Sequence, residues 1–244
     1  MQQHTVVVIG GTGFLGQHVV QALADQGFRV KVLARHATRA EALKTAGPLG
    51  QVSVVSADIT QPASYEPHLA GAMAVVNLVG ILYESGKKQS FQQIHAIGAE
   101  KLAQAARMAG VEHFVQMSAL GVDKTTLSNY AHTKRLGEKA VESAFAGAVI
   151  MRPSVIFGPQ DNFFNQFAQM AMISPCLPLI GGGKTNFQPV YAGDVAQAIC
   201  ASLRSVEKSK GTIFEFGGPD IMSFKDVLSY ILRVTGRKAY LMNI

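Results

Sequence analysis

Thr5-Val6-Val7-Val8-Ile9 runs straight into Gly10-Gly11-Thr12-Gly13-Phe14-Leu15-Gly16, and Leu15, Val19 and Leu23 then repeat at helical spacing. A short strand that is apolar on both faces belongs inside a covered parallel sheet. A glycine turn from such a strand into a helix opens a strand–helix–strand crossover. Gly10 permits the tight turn, Gly13 lets backbone N–H groups approach a pyrophosphate at the helix N-terminus, and Gly16 lets the helix lie close on the sheet. Thr12, Phe14 and Leu15 lie between them, so Gly10, Thr12, Gly13, Phe14, Leu15 and Gly16 form the expected phosphate loop. A glycine turn with a purely structural task is the competing reading, and the strand–turn–helix context speaks against it.

The rest of the chain continues this alternation. Strands are predicted at Val30–Leu33, Val52–Val55, Ala74–Leu78, His113–Met117 and Ala148–Met151. Between them fall a polar helix near Arg39–Thr45, a long helix with Phe91, Ile94, Gly98, Leu102 and Ala105 on one face, and a helix over Asn129–Ala144. Tyr240 to Ile244 reads as a last strand. The pattern predicts an α/β fold, a doubly wound parallel sheet with a small C-terminal substrate lobe. One dinucleotide-binding domain spans 1–244, with the smaller lobe formed from about 158–190 and 217–244. Hydrophobic residues make up 48% of the chain, charged residues 16%, and mean hydropathy is +0.18. That composition excludes a disordered chain.

Charge and targeting narrow the partners. The net charge of +6 comes from dispersed residues, in no run longer than two, so no nucleic-acid stripe exists and nucleic acid is excluded as a partner. Cys176 and Cys200 match neither a metal-ligand nor a disulfide pattern and are expected to be buried. Met1-Gln2-Gln3-His4 has no leader character, which predicts a cytoplasmic start. Phe163 to Ile180 is apolar but broken by Asn165, Gln166, Gln169, Pro175 and Pro178, which excludes a clean membrane span. It is expected to be a surface helix, lid or docking surface, or else ordinary core and pocket lining.

The second strand ends at Val32-Leu33-Ala34-Arg35, with Arg39 one turn on, where an acidic side chain would bind the hydroxyls of an adenosine ribose. A guanidinium there suits a 2′-phosphate, so NADP(H) is expected in preference to NAD. The competing reading is that both arginines form only the solvated face of a surface helix. Asp58, with Ile59 beside it, is placed to accept from the adenine amino group, or to cap a helix beginning near Pro62. Asn77, Val79 and Gly80 are expected along the adenosine ribose.

Ser118 ends the fifth strand, and Tyr130 and Lys134 share one face of the next helix. An ammonium beside a phenol is expected to lower its pKa and make it an acid or base near neutrality, while the serine hydroxyl orients a substrate oxygen. The spacing alone is a weak signal, but its place at the carboxyl edge of the sheet strengthens it. Ser118, Tyr130 and Lys134 are therefore the candidate catalytic residues, with Tyr130 and Lys134 also touching the cofactor.

Together with these residues, Arg152-Pro153-Ser154-Val155-Ile156-Phe157-Gly158-Pro159 and Val190-Tyr191-Ala192-Gly193-Asp194-Val195-Ala196 resemble the extended or atypical branch of the short-chain dehydrogenase/reductase superfamily. The resemblance covers essentially the whole chain. It implies a Rossmann-type fold, a backbone at Pro153 and Val155 passing the nicotinamide, and a small carbonyl, hydroxyl or nucleotide-sugar substrate. Gln188-Pro189-Val190-Tyr191, Ser118-Ala119-Leu120-Gly121 and His95 are similar to an atypical subgroup, the relatives of the nucleotide-binding accessory subunit of respiratory complex I. Bacterial members of that subgroup are often labelled nucleoside-diphosphate-sugar epimerases. This implies tightly held NADPH and, as an alternative to turnover, a structural role beside a quinone-linked membrane respiratory complex, at the periphery of the inner membrane. Sugar-nucleotide epimerases carry an arginine where this chain reads Lys184-Thr185-Asn186-Phe187-Gln188. Lys184 or Arg152 is the expected partial substitute.

Overall fold

The computed structural model describes residues 4–124 and 128–244, so Met1 to Gln3 of the expected cytosolic start lie outside it. The first half runs β1 (Thr5–Ile9), α1 (Phe14–Asp25), β2 (Arg29–Ala34), β3 (Val52–Ser56), α2 (Pro62–Tyr65), β4 (Ala74–Asn77), α3 (Ala99–Met108), β5 (His113–Met117), α4 (Asn129–Ala144) and β6 (Val149–Pro153). Then come β7 (Ile156–Phe157), α5 (Phe164–Ile173), β8 (Cys176–Leu179), β9 (Asn186–Phe187) and β10 (Val190–Tyr191). The chain continues through α6 (Ala192–Arg204), α7 (Val206–Ser209), β11 (Ile213–Phe216), β12 (Met222–Ser223), α8 (Phe224–Thr235) and β13 (Tyr240–Asn243).

Seven strands form a parallel sheet in the order β11-β6-β5-β4-β1-β2-β3. The chain winds outward from β1 to β3, then returns beside β1 as β4 and winds the other way. This reversal leaves a crevice beyond the carboxyl ends of β1 and β4. Register brings Ile9 opposite both Leu33 and Asn77, and Asn77 opposite Gln116, so the turns that follow β1, β2, β4 and β5 open on one edge.

Alternation along the strands builds two cores. Val6, Val8, Val30, Val32, Val115 and Met151 pack with α1 and α6, while Val7, Ile9, Leu33, Val75, Phe114 and Ile150 pack with α3 and α4. A third core, centred on Leu177, Val227, Leu228 and Ile231, joins α5, β8, α8 and β13. Two of the added strand pairs, β7/β10 and β8/β13, are parallel, and β9/β12 is antiparallel. The capping box of Ser223 and Asp226 starts α8, and Gly236 ends it in the left-handed region at φ +66°.

Three local expectations are corrected. The polar segment is a 3₁₀ helix over Ala37–Ala46, and among its described side chains only Ala40 is buried, so no apolar face supports a longer α-helix. The Arg39 side chain lies outside the described residues. The long helix opens as a π-helical turn, Gln92–Gly98, before α3. His95, within that turn, lies in the interior, 1% exposed. Cys200 is buried as expected but Cys176, at the start of the short edge pair β8/β13, is only half-buried.

Phe163 to Ile180 divides its loyalties. Phe163, Phe164 and Phe167 pack onto the third core and Leu177 is fully buried, whereas Met172 and Ile173 at the end of α5 are exposed. Among the described residues no helix is long and apolar enough to cross a membrane.

Candidate functional site

A groove of about 200 Å³ lies along the carboxyl ends of β1, β2, β3 and β4. Gly10, Thr12, Gly13, Arg35, Asp58, Ile59, Val79 and Gly80 line it. Gly10 stands at φ +83°, and a Cβ there would lie 3.1 Å from the Val79 amide nitrogen. Only glycine lets β1 turn this close beneath the strand-four loop. α1 has no side-chain cap at Gly13, which leaves its first N–H groups free to meet an anion. Phe14, Leu15 and the buried Gly16 carry α1 away from the groove and do not line it.

Arg35 is exposed at the rim and, among the described residues, makes no ion pair. Asp58 does not cap the helix at Pro62. Its Oδ1 accepts from the Thr60 amide and hydroxyl, both at 2.8 Å, closing its own turn. Asn77 is fully buried: Nδ2 donates to Gln116 Oε1 at 2.8 Å, and Oδ1 accepts from the Val79 amide at 3.1 Å. It shapes the Leu78–Gly80 turn and does not present its own side chain to the groove. Ile81, Gln89 and Ile94 also line the groove and had no separate signal in the sequence, since Ile94 reads simply as helix core.

At the neighbouring edge, between β4 and β5, the buried groups converge. Lys134 is 5% exposed and its Nζ donates to the Met117 carbonyl at 3.2 Å. A Cβ on Gly80 would lie 3.1 Å from that Nζ, so the two halves of the edge meet through a glycine. Burial lowers the Lys134 pKa to about 8, against the opposing pull of Glu138. Ser118 is 5% exposed and its Oγ has no partner among the described residues. An orphaned buried hydroxyl is costly and marks a place where a ligand group completes the bonding.

Tyr130 lies edge-on to Phe91 at 5.9 Å and to His95 at 5.3 Å. Lys134 Nζ stands 6.0 Å from the phenol ring centre. The expected depression of the phenol is not what this arrangement produces. The ammonium turns toward Met117 and Gly80, and burial pushes the Tyr130 pKa up.

His95 is the residue that sequence reasoning missed as a site member. Its Nε2 accepts from the Ile81 amide at 3.1 Å, so the ring proton lies on Nδ1, 3.2 Å from Thr133 Oγ1. Burial first, then the nearby Lys134 charge, lowers its pKa to about 3, and the imidazole is neutral. The available signal was its spacing, four residues after Phe91, whose ring stacks on it at 5.4 Å.

Arg152 does not stand in for the missing phosphate-binding arginine. Its guanidinium forks onto Glu138 at 2.9 and 2.7 Å, and reaches Asp123 at 3.0 Å and Glu215 at 3.3 Å. These contacts hold it inside the protein, at 8% exposure. Lys184 is exposed, directly after the glycine turn that follows β8. The Pro153 carbonyl accepts from Leu120 and the Val155 carbonyl from Val190, which ties both to the segments flanking Ser118 and β10.

Residues 6–217 match the sequence profile of the NAD dependent epimerase/dehydratase family. The chain belongs to this family. Among its relatives, the mitochondrial "NADH dehydrogenase [ubiquinone] 1 alpha subcomplex subunit 9" of Arabidopsis thaliana is 39% identical over 218 residues, covering 88% of this chain and 54% of that protein. A ceramide reductase of Caulobacter vibrioides is 34% identical over 200 residues, covering 82% of this chain and 61% of that one. The chain thus spans somewhat over half the length of these relatives. The dTDP-glucose 4,6-dehydratase of Streptomyces venezuelae, solved with NAD and TYD bound, superposes with a TM-score of 0.83 at 22% identity, covering 98% of this chain and 84% of that one. The last likeness concerns the fold alone. As a member of the NAD dependent epimerase/dehydratase family, the chain agrees with the extended short-chain dehydrogenase/reductase resemblance of its motifs.

Proposed function

We propose that the protein is an NADP(H)-binding oxidoreductase in which Tyr130 exchanges a proton with a carbonyl or hydroxyl substrate. Epimerisation of a nucleotide sugar by the same hydride chemistry is a variant of this reading. The observation that carries it is the convergence of a buried ammonium, a phenol and an unpartnered hydroxyl on the sheet edge that adjoins the dinucleotide groove. A nicotinamide, when bound, supplies or accepts the hydride. The open N-terminus of α1 takes the pyrophosphate, and Arg35 faces a 2′-phosphate, with no carboxylate at the end of β2 to compete for the ribose. Lys134 keeps N–H groups beyond the one bonded to Met117, suited to ribose hydroxyls. Ser118 donates to the substrate oxygen, and Tyr130 gives that oxygen its proton on reduction and takes it back on oxidation.

A second reading has its own support, the 39% identity to a respiratory complex I subunit. In it the protein holds NADPH permanently and serves in the structure or assembly of a membrane respiratory complex, from the cytoplasm at the inner membrane face. Titration with NADPH and NADH, followed by cofactor oxidation over a carbonyl panel, separates the two. Tighter binding of NADPH with substrate-dependent oxidation supports the first. Binding without oxidation by any substrate, with impaired complex assembly when the protein is deleted, supports the second.

A further inference from the structure

The segment from Gly80 to Phe91 is tied to the reactive edge at both ends. Gly80 lies against the Lys134 ammonium, Ile81 donates to His95, and Phe91 stacks on His95 and meets the Tyr130 ring edge-on. Between these anchors Leu82 and Tyr83 stand in solvent, 74% and 79% exposed. Within three residues of the Lys134 contact these two adjacent side chains offer apolar surface beside the reactive edge.

Charge points the same way. Of the ionisable groups against Tyr130, His95 is neutral and Lys134 is committed to Met117 and the cofactor side. Arg152 is consumed by three carboxylates, and Lys184 follows the glycine turn of the small lobe. Lys87 and Lys88 precede Gln89, which lines the dinucleotide groove. Lys87 and Lys88 are exposed before Phe91, but among the described residues no guanidinium is placed against the Tyr130 ring to replace the hydration of a diphosphate there.

We infer that the carbon handled at Tyr130 belongs to an apolar, uncharged body, a lipid-type ketone or alcohol, whose hydrocarbon part rests on Leu82, Tyr83 and Phe91. This rests on the hydride-transfer reading above. In the reducing direction the cofactor's hydride forms the new C–H bond, the carbonyl π pair moves to oxygen, and that oxygen takes the Tyr130 proton, which solvent replaces.

The full chain with NADPH is offered straight-chain methyl ketones from butanone to nonanone, and UDP-glucose. Binding is read by saturation-transfer NMR and turnover by NADPH oxidation. Affinity and kcat/KM are expected to rise about fourfold for each methylene that is buried, and UDP-glucose neither binds nor competes. A Leu82→Ser, Tyr83→Ser double variant, altered only at exposed positions, keeps its NADPH affinity and loses about tenfold or more on the longest ketone. A methylene gradient in binding without NADPH oxidation removes the hydride-transfer reading and leaves the apolar site standing. Oxidation indifferent to chain length, no binding by any ketone, or UDP-glucose binding tighter than nonanone overturns the inference.

Discussion

The two sides of the crevice are built differently. On the side of β1 to β3, where the adenosine half of the dinucleotide is proposed to lie, the groove is mostly backbone and turn: Gly10 at φ +83°, the uncapped start of α1, and the Asp58 and Asn77 turns. On the reactive side the work is done by buried side chains drawn from several elements, namely Ser118, Lys134, His95, and Glu138 with Arg152. A surface built from backbone is rigid and tolerates changes at its rim. One built from buried polar groups depends on every partner, because each unpaired group carries a desolvation cost. Substitutions on the reactive side are therefore expected to cost stability or chemistry, and those on the adenosine rim only affinity.

The largest stability effect is expected from Glu138→Ala. It removes the bidentate partner of Arg152 and leaves a buried guanidinium with two partly exposed carboxylates, at a cost of about 3–5 kcal/mol. Denaturant unfolding checks it, and a loss below about 1 kcal/mol would mean that the reactive side is not held by this pair. Next comes His95. Its folded pKa of about 3 lies below the ordinary 6.5, so the unfolded chain binds more protons between those values. The stability this gives is fully present above about pH 6.5 and is lost as pH falls toward 3. His95→Gln should flatten the acid limb of the stability curve, and an unchanged limb would place the acid sensitivity elsewhere. Smaller still is Arg35→Asp, which should leave unfolding unaltered and shift the NADPH/NADH preference tenfold to hundredfold, about 1–3 kcal/mol. Equal titrations for the two cofactors in both proteins would break the proposed role of the rim.

The same division decides what could be read in advance. The alternation of strands and helices, the glycine turn and the placing of Ser118, Tyr130 and Lys134 after β5 follow from local pattern, because turns and periodicity act over a few residues. Arg152 could not be read this way. Its partners lie 14, 29 and 63 residues away, and only the fold shows that they consume the charge. Asn77 sits where a ribose contact was expected, but parallel pairing with β5 brings Gln116 beside it and turns its amide inward. His95 falls on the same helical face as Phe91, Ile94 and Gly98, but that face reads simply as core, and only the fold shows that its ring meets Ile81, Thr133 and Tyr130.

Tyr130→Phe keeps the ring against Phe91 and His95 and removes one oxygen, so it separates proton transfer from packing. With NADPH and the best-turned-over carbonyl, the variant should bind cofactor within about twofold of the native protein and lose about 10²- to 10⁴-fold in kcat. Full turnover by Tyr130→Phe on a substrate that the native protein reduces would contradict the assignment of the reactive edge.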